Sequence, residues 1–140
     1  RVGNVDALGN EALSLVNEAR AAQGVPGLQM SGQLNAAAQD HAEDMARRDF
    51  YSHRSPERQD VADRFRARGG GPWWIIAENI AQCISCAPMA EQVRRFQQGW
   101  MNSPGHRRNI LDPRVRSFGF GIATTGGKIY AVQTFVTERE

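Results

Sequence analysis

The sequence has little cysteine, almost no lysine and no long apolar run. Two cysteines, Cys83 and Cys86, are too few for a disulfide-dense mini-scaffold, and a chain of 140 residues needs no such staples. Lysine occurs once, at Lys128, among 17 basic residues, so arginine carries nearly all the positive charge. That imbalance reads as coding bias rather than chemistry. Against 15 acidic residues it leaves a net charge of +2, too balanced for nucleic acid or an anionic membrane as partner. No stretch approaches the roughly 18 apolar residues of a membrane helix, and no leader peptide is evident. The chain begins at Arg1 without Met, as expected where an upstream segment has been removed, so the missing leader does not argue for the cytoplasm. HExxH, GxSxG, P-loop and dinucleotide fingerprints are absent. What is there is ordinary globular composition, 41% hydrophobic and 23% charged. It excludes a disordered chain and fits one domain over residues 1–140.

Leu8, Ala12, Leu15, Val16 and Ala19 recur at helical spacing and predict a helix over 6–22, ended by Gly24 and Pro26. Ser31 can cap a second helix with the stripe Leu34, Ala37, Ala38, His41 and Met45. Pro56 is expected to open a third, shorter helix through Val61, Ala62 and Phe65, stopped by Gly69-Gly70-Gly71-Pro72. Residues 73–81 are aromatic and β-branched and read as a strand, with Trp74, Ile76, Glu78 and Ile80 on one face. Met89, Val93, Phe96 and Trp100 predict a helix over 88–102. Ser103-Pro104 then resembles an N-cap with proline at the first helical position, opening a short helix that carries His106 and ends near Leu111. Phe118, Phe120 and Ile122 alternate, Thr125-Gly126-Gly127 turns, and 128–136 runs as a second strand, a β-hairpin signature. One sheet covered by helices on both faces is the economical packing of this order.

Three histidines are the natural candidates for metal ligation or proton transfer. His41 lies on an apolar helical stripe and reads as a core residue hydrogen-bonded to backbone. His53 follows Phe50-Tyr51-Ser52 in a loop, as either a site residue or a solvated one. His106 falls in the first turn of its helix, where the dipole disfavours an imidazolium and keeps the ring fit to bind a metal or a proton. Glu78 sits mid-strand on the face expected to be buried, so it needs either an arginine partner or a polar cluster. Cys83-Ile84-Ser85-Cys86 follows a strand instead of opening a helix as a thioredoxin-type motif does. A single pair also lacks the further ligands of structural zinc. A structural disulfide, worth roughly 2 kcal/mol through chain entropy, is the preferred reading.

Taken together, four segments resemble the CAP superfamily of cysteine-rich secretory, antigen 5 and pathogenesis-related 1 proteins, in its bacterial branch, also called the SCP domain. They are Ala42-Glu43-Asp44-Met45-Ala46, Phe50-Tyr51-Ser52-His53, Ala77-Glu78-Asn79-Ile80-Ala81, and the run from Trp100-Met101-Asn102-Ser103 through Pro104-Gly105-His106 to Leu111. Gly119-Phe120-Gly121 and the stretch from Tyr130 to Phe135 are similar too. The resemblance implies an α+β fold: a three-layer α-β-α sandwich with a small, mostly antiparallel sheet. It also implies a secreted or cell-envelope location and a cleft of two histidines and two glutamates able to take up a divalent cation such as zinc. Carried over by position, His53 and His106 are the histidines and Glu78 the first glutamate. The second glutamate's position holds Ser103. Glu57, Asp60 and Asp63 are candidate replacements for it, and Asn79 could orient a ligand. A cleft next to Glu78 would also be pinned by the nearby disulfide.

Two functions rest on these residues. The first is a secreted, non-catalytic binding module, expected as a monomer, whose ligand is a lipid or sterol, another small molecule, or an envelope or host component. It is motivated by the lack of a nucleophile–base signature. The second is a zinc-dependent, peptidase-like hydrolase with metal on His53 and His106, joined or assisted by Glu78 as base. An envelope role as part of a longer chain is a third. The arginines Arg107, Arg108, Arg114 and Arg116 read as a solvated rim.

Overall fold

The computed structural model describes residues 4–86 and 88–139. The elements in chain order are α1 (Val5–Ala22), β1 (Gln29–Met30), α2 (Gly32–Arg48), α3 (Val61–Ala67), β2 (Trp73–Ile84), α4 (Met89–Met101), α5 (Pro104–Leu111), β3 (Ser117–Thr125) and β4 (Lys128–Glu138). The strands form one sheet in the order β1-β3-β4-β2, with β1 parallel to β3 and every other pair antiparallel. Helices α1, α4 and α5 cover one face, and α2 and α3 the other, so the molecule is the expected α-β-α sandwich.

The helices follow their apolar stripes, and the departures have local causes. The third helix does not open at Pro56, which lies in a turn. It opens at Val61, because the Asp60 side chain accepts from the Asp63 amide at 3.1 Å while the Asp63 side chain accepts from the Asp60 amide at 3.0 Å. That reciprocal box satisfies two amides that a proline several residues earlier cannot. Strand β1 has two residues, too few to leave a periodic signal. Strand β2 runs beyond Ala81, to Ile84, and so carries Cys83.

The two faces are built differently. Under α1, α4 and α5, Phe118, Phe120, Ile122 and Phe135 of the sheet pack with Val16, Phe96, Trp100 and Ile110 in one large apolar cluster. On the other face, alternation turns Gly119 and Gly121 toward α2. A Cβ on either would come within 2.4 Å of the α2 backbone, at Leu34 and Ala38. Helix α2 therefore lies on the bare backbone of β3. Its Asn35 and Gln39 finish the sheet: Asn35 Oδ1 accepts from the Phe120 amide at 2.9 Å, and Gln39 pairs with both the amide and the carbonyl of Ile122 at 2.9 Å. These two side chains occupy the edge of β3 beyond short β1, where unpaired backbone would otherwise invite another strand.

A buried arginine ties the far end together. Arg20 of α1 donates to the carbonyls of Pro26 (2.6 Å), Ile110 (2.8 Å) and Asp112 (2.9 Å), placing a cation on the carbonyl end of α5. Among the described residues no helix is long and apolar enough to cross a membrane.

Candidate functional site

Strand β2 forms one edge of the sheet, and its side chains turn alternately to the two helical layers. Ile76 and Ile80 pack toward α2 and α3, with Glu78 between them; Ala77 and Ala81 pack toward α1, α4 and α5, with Asn79 between them. The strand thereby hands one polar residue to each face. The Ile80 carbonyl is taken from both sides, by Tyr51 Oη at 3.1 Å and Trp100 Nε1 at 3.0 Å.

On the α2–α3 face, the Glu78 side chain is only 2% exposed. Its Oε1 accepts from His53 Nδ1 at 2.9 Å, and its Oε2 accepts from Arg64 Nη2 at 2.7 Å. Arg64 is itself buried and also donates to the carbonyls of His53 (3.2 Å) and Gln59 (3.1 Å). The buried carboxylate thus has a cation beside it and a donor on each oxygen, as burial demands. A carboxylate only accepts, so the His53 proton sits on Nδ1 and the neutral ring presents the Nε2 lone pair. The His53 side chain is 54% exposed, so that nitrogen is reachable.

On the opposite face, Asn79 is fully buried and acts as a strut. Its Nδ2 donates to Gln133 Oε1 (2.8 Å) and to the His106 carbonyl (3.1 Å), while its Oδ1 accepts from Asn109 Nδ2 (2.9 Å). It fixes α5 against β2 instead of reaching toward a ligand. Ser103 stands at the N-cap of α5 but makes no side-chain cap; its Oγ lies 2.9 Å from His106 Nδ1. Partial burial, reinforced by the positive charge of His53 whenever that ring is protonated, lowers the His106 pKa below the usual histidine value. His53 and His106 thus bond from opposite faces of β2, near enough for a charge on His53 to act on His106.

Of the carboxylates expected to replace the missing glutamate, none joins this group. Glu57 pairs with Arg48 at 2.6 Å, and Asp60 and Asp63 cap α3. No carboxylate stands in for the glutamate that Ser103 replaces, and the arginine partner expected of Glu78 is Arg64, which the sequence did not single out by number. The available signal was its place beside Phe65 on the inward side of a helix, near a strand carboxylate needing a cation. His41 is buried as expected; its Nε2 donates to the Ser52 carbonyl at 2.7 Å, which steadies the residue before His53. Cys83 and Cys86 form a disulfide. It does not border Glu78: Cys83 packs on the other face, roughly 17 Å farther along the strand at about 3.4 Å per residue.

Among the described residues, no group of three or more His, Cys, Asp or Glu side chains is placed to hold a metal ion. The cluster offers two imidazoles, and Glu78 orients one of them from behind. That falls short of the three protein ligands of a catalytic zinc.

The profile of the cysteine-rich secretory protein family, CAP, matches residues 13–137. The chain is 31% identical over 123 residues to the protein YkwD of Bacillus subtilis (strain 168), covering 88% of this chain and 45% of that one. It therefore spans less than half the length of that relative. An extracellular SCP-domain protein of Bacillus anthracis superimposes with a TM-score of 0.77 at 28% identity, over 96% of this chain and 41% of that one. An outer surface protein of Borrelia burgdorferi shares the fold, with a TM-score of 0.80 at 18% identity, over 93% and 92% of the two chains.

Proposed function

Since the chain belongs to the CAP family of cysteine-rich secretory proteins, we propose that it is a secreted or envelope-located binding module, not an enzyme. The carrying observation is the state of Glu78. Both of its oxygens already accept, from His53 and Arg64, so the carboxylate is held as an anchor and not free as a general base. The contact of Ser103 with His106 does not supply the alternative: among the described residues no carboxylate orients the His106 ring as a triad would.

The ligand chemistry follows from the surface around β2. The exposed large hydrophobic residues described are Tyr51, Trp73, Trp74 and Ile84. Three belong to β2, and Tyr51 bonds to it at Ile80. Trp73 and Trp74 open β2, Ile84 closes it and Tyr51 lies beside its middle, so these are separate apolar points along the strand. Tyr51, two residues from His53, suits a lipid or sterol with a polar head. Zinc, or another divalent cation, would meet only the Nε2 atoms of His53 and His106 and would bind weakly.

The test combines two measurements on the intact protein. Zinc chloride titration should show weak binding, abolished in His53→Ala, and a broad peptide-hydrolysis screen should stay blank with zinc present. Fluorescent sterol and fatty-acid probes should bind, and Tyr51→Ser should weaken them. Zinc-dependent hydrolysis lost in His53→Ala would replace this reading with the peptidase one.

A further inference from the structure

The outer edge of β3 is closed at Phe120 and Ile122 and open at Thr124. Thr125 and Lys128 close the hairpin as a bonded pair, so the backbone groups of Gly121, Ala123 and Thr125 turn to β4. Those of Phe120, Ile122 and Thr124 turn out of the sheet. Asn35 and Gln39 of α2 meet the Phe120 amide and both groups of Ile122. The next α2 residue in that series is Glu43, whose carboxylate can only accept and so cannot answer a carbonyl. It turns instead to Gln39 Nε2, at 3.1 Å. Among the described residues, neither the N–H nor the C=O of half-buried Thr124 has a hydrogen-bond partner.

A cavity of about 410 Å³ opens at this point, lined by Glu43, Ala46 and Arg47 of α2, by Thr124 and its strand neighbours, and by Val5 of α1. A second, of about 240 Å³, shares Val5 and Gln39 with it and reaches Met30 of β1. The charge of this groove is one-sided. Glu43 is exposed and, among the described residues, pairs with no cation. Arg68, whose charge reaches it, is held by both oxygens of Asp40 at 2.6 Å. Asp6, which lines the second hollow, is also exposed and unpaired among the described residues. Arg47, the one cation on the lining, bonds to Asp44 at 3.0 Å. A cationic ligand gains from this arrangement and an anionic one is repelled. An open N–H and an open C=O on one strand residue ask for a partner carrying both at strand spacing, which is another extended main chain.

We propose that this groove docks an extended basic peptide segment of another protein, which adds a short strand at Thr124 and sets a lysine or arginine on Glu43. Alternation fixes the order of its side chains. The residue opposite Thr124 points, like Thr124, to the α1 layer beside Val5, where an apolar side chain fits. The residues flanking it point to α2, where Glu43 lies. The proposal is independent of what binds along β2.

The experiment is a fluorescence-anisotropy titration of the intact protein with three labelled peptides: Thr-Lys-Val-Lys-Thr, Thr-Glu-Val-Glu-Thr, and the first with its valine N-methylated. The basic peptide should bind saturably, and the acidic one about tenfold more weakly. N-methylation keeps the charge and removes one main-chain donor, and should weaken binding about tenfold. Glu43→Gln, at an exposed position, should weaken the basic peptide about threefold. Thr124→Pro removes the outward N–H at an edge position that tolerates proline, and should abolish binding. If that variant loses the cooperative melt of the parent, the N-methylated peptide and Glu43→Gln decide. No saturable binding, equal binding of the acidic peptide, or no effect of N-methylation would each overturn the proposal. So would a concentration-dependent dimer dispersed by Thr124→Pro, which would give the edge to a second copy of the chain.

Discussion

The two faces of the sheet solve the same packing problem with different chemistry. Beneath α1, α4 and α5, large apolar side chains interlock around Phe118, Phe120 and Phe135. Beneath α2 and α3, glycines let a helix touch the sheet backbone, and the buried interior holds Glu78, Arg64 and His41. The first face derives its stability from apolar area, the second from contacts that must be placed correctly to be tolerated. The first face holds one buried charge at its end, Arg20, satisfied by carbonyls alone; the second holds a carboxylate, an arginine and a histidine together, and the candidate site grows from it, with α5 contributing His106 around the strand edge.

That contrast can be tested by damaging each face in turn. Phe118→Ala should cost the most, about 4 kcal/mol by chemical denaturation, because the surrounding cluster collapses only partly into the space. Arg64→Met should cost about 3 kcal/mol by leaving Glu78 buried with only His53 as partner. It should also loosen His53, seen as a change in its imidazole NMR signals, which Phe118→Ala should leave in place. Gly121→Ala should cost about 2 kcal/mol through overpacking against Ala38. Gly99→Ala, in a helix and with a Cβ that would meet nothing within 4 Å, should cost nothing; an equal loss there would mean that close packing is not the cause at Gly121.

Acid should separate the faces next. Burial, and then the charge of Arg64, lower the His41 pKa, so the folded state resists a proton that the unfolded chain accepts. Its contribution to stability is whole above about pH 6.5 and is lost as pH falls through that value toward the lower folded pKa. The melting temperature should therefore drop on acidification below about pH 6.5, and His41→Gln should flatten that drop. The smallest effect expected is His106→Ala, within about 0.5 kcal/mol, since the ring is half-buried and bonds only to Ser103. A large loss there would make His106 part of the framework and not part of a site.

The helices and the hairpin were legible because each writes its own period into neighbouring residues. The capping box was written there too, as Asp60 and Asp63, yet Pro56 carried a stronger local signal and drew the helix start forward. Glu78 announced its need for an arginine or a polar cluster, but which of sixteen arginines meets it depends on how α3 folds back over β2, and no local pattern carries that. Ser103 was ambiguous for the same reason. A serine before a helical proline reads as a cap, and only the position of His106 one turn later shows where its hydroxyl goes. His53, Glu78 and His106 stood out singly by their positions and were grouped as one site by resemblance; the strut role of Asn79 appears only once α5 is seen against the strand.

The contact between α2 and β3 works as a vernier. Four helical residues advance about 6.0 Å and two strand residues about 6.8 Å. Leu34 and Ala38 meet Gly119 and Gly121 at that spacing, and Asn35 and Gln39 meet Phe120 and Ile122. The scales differ by only about 0.8 Å over that one step but by about 1.6 Å over two. Two such matches fix where the helix stops along the strand, and a third would pull it out of step. The placement of α2, and with it the start of the loop bearing His53, is set by a short ruler whose marks are two glycines and two amides.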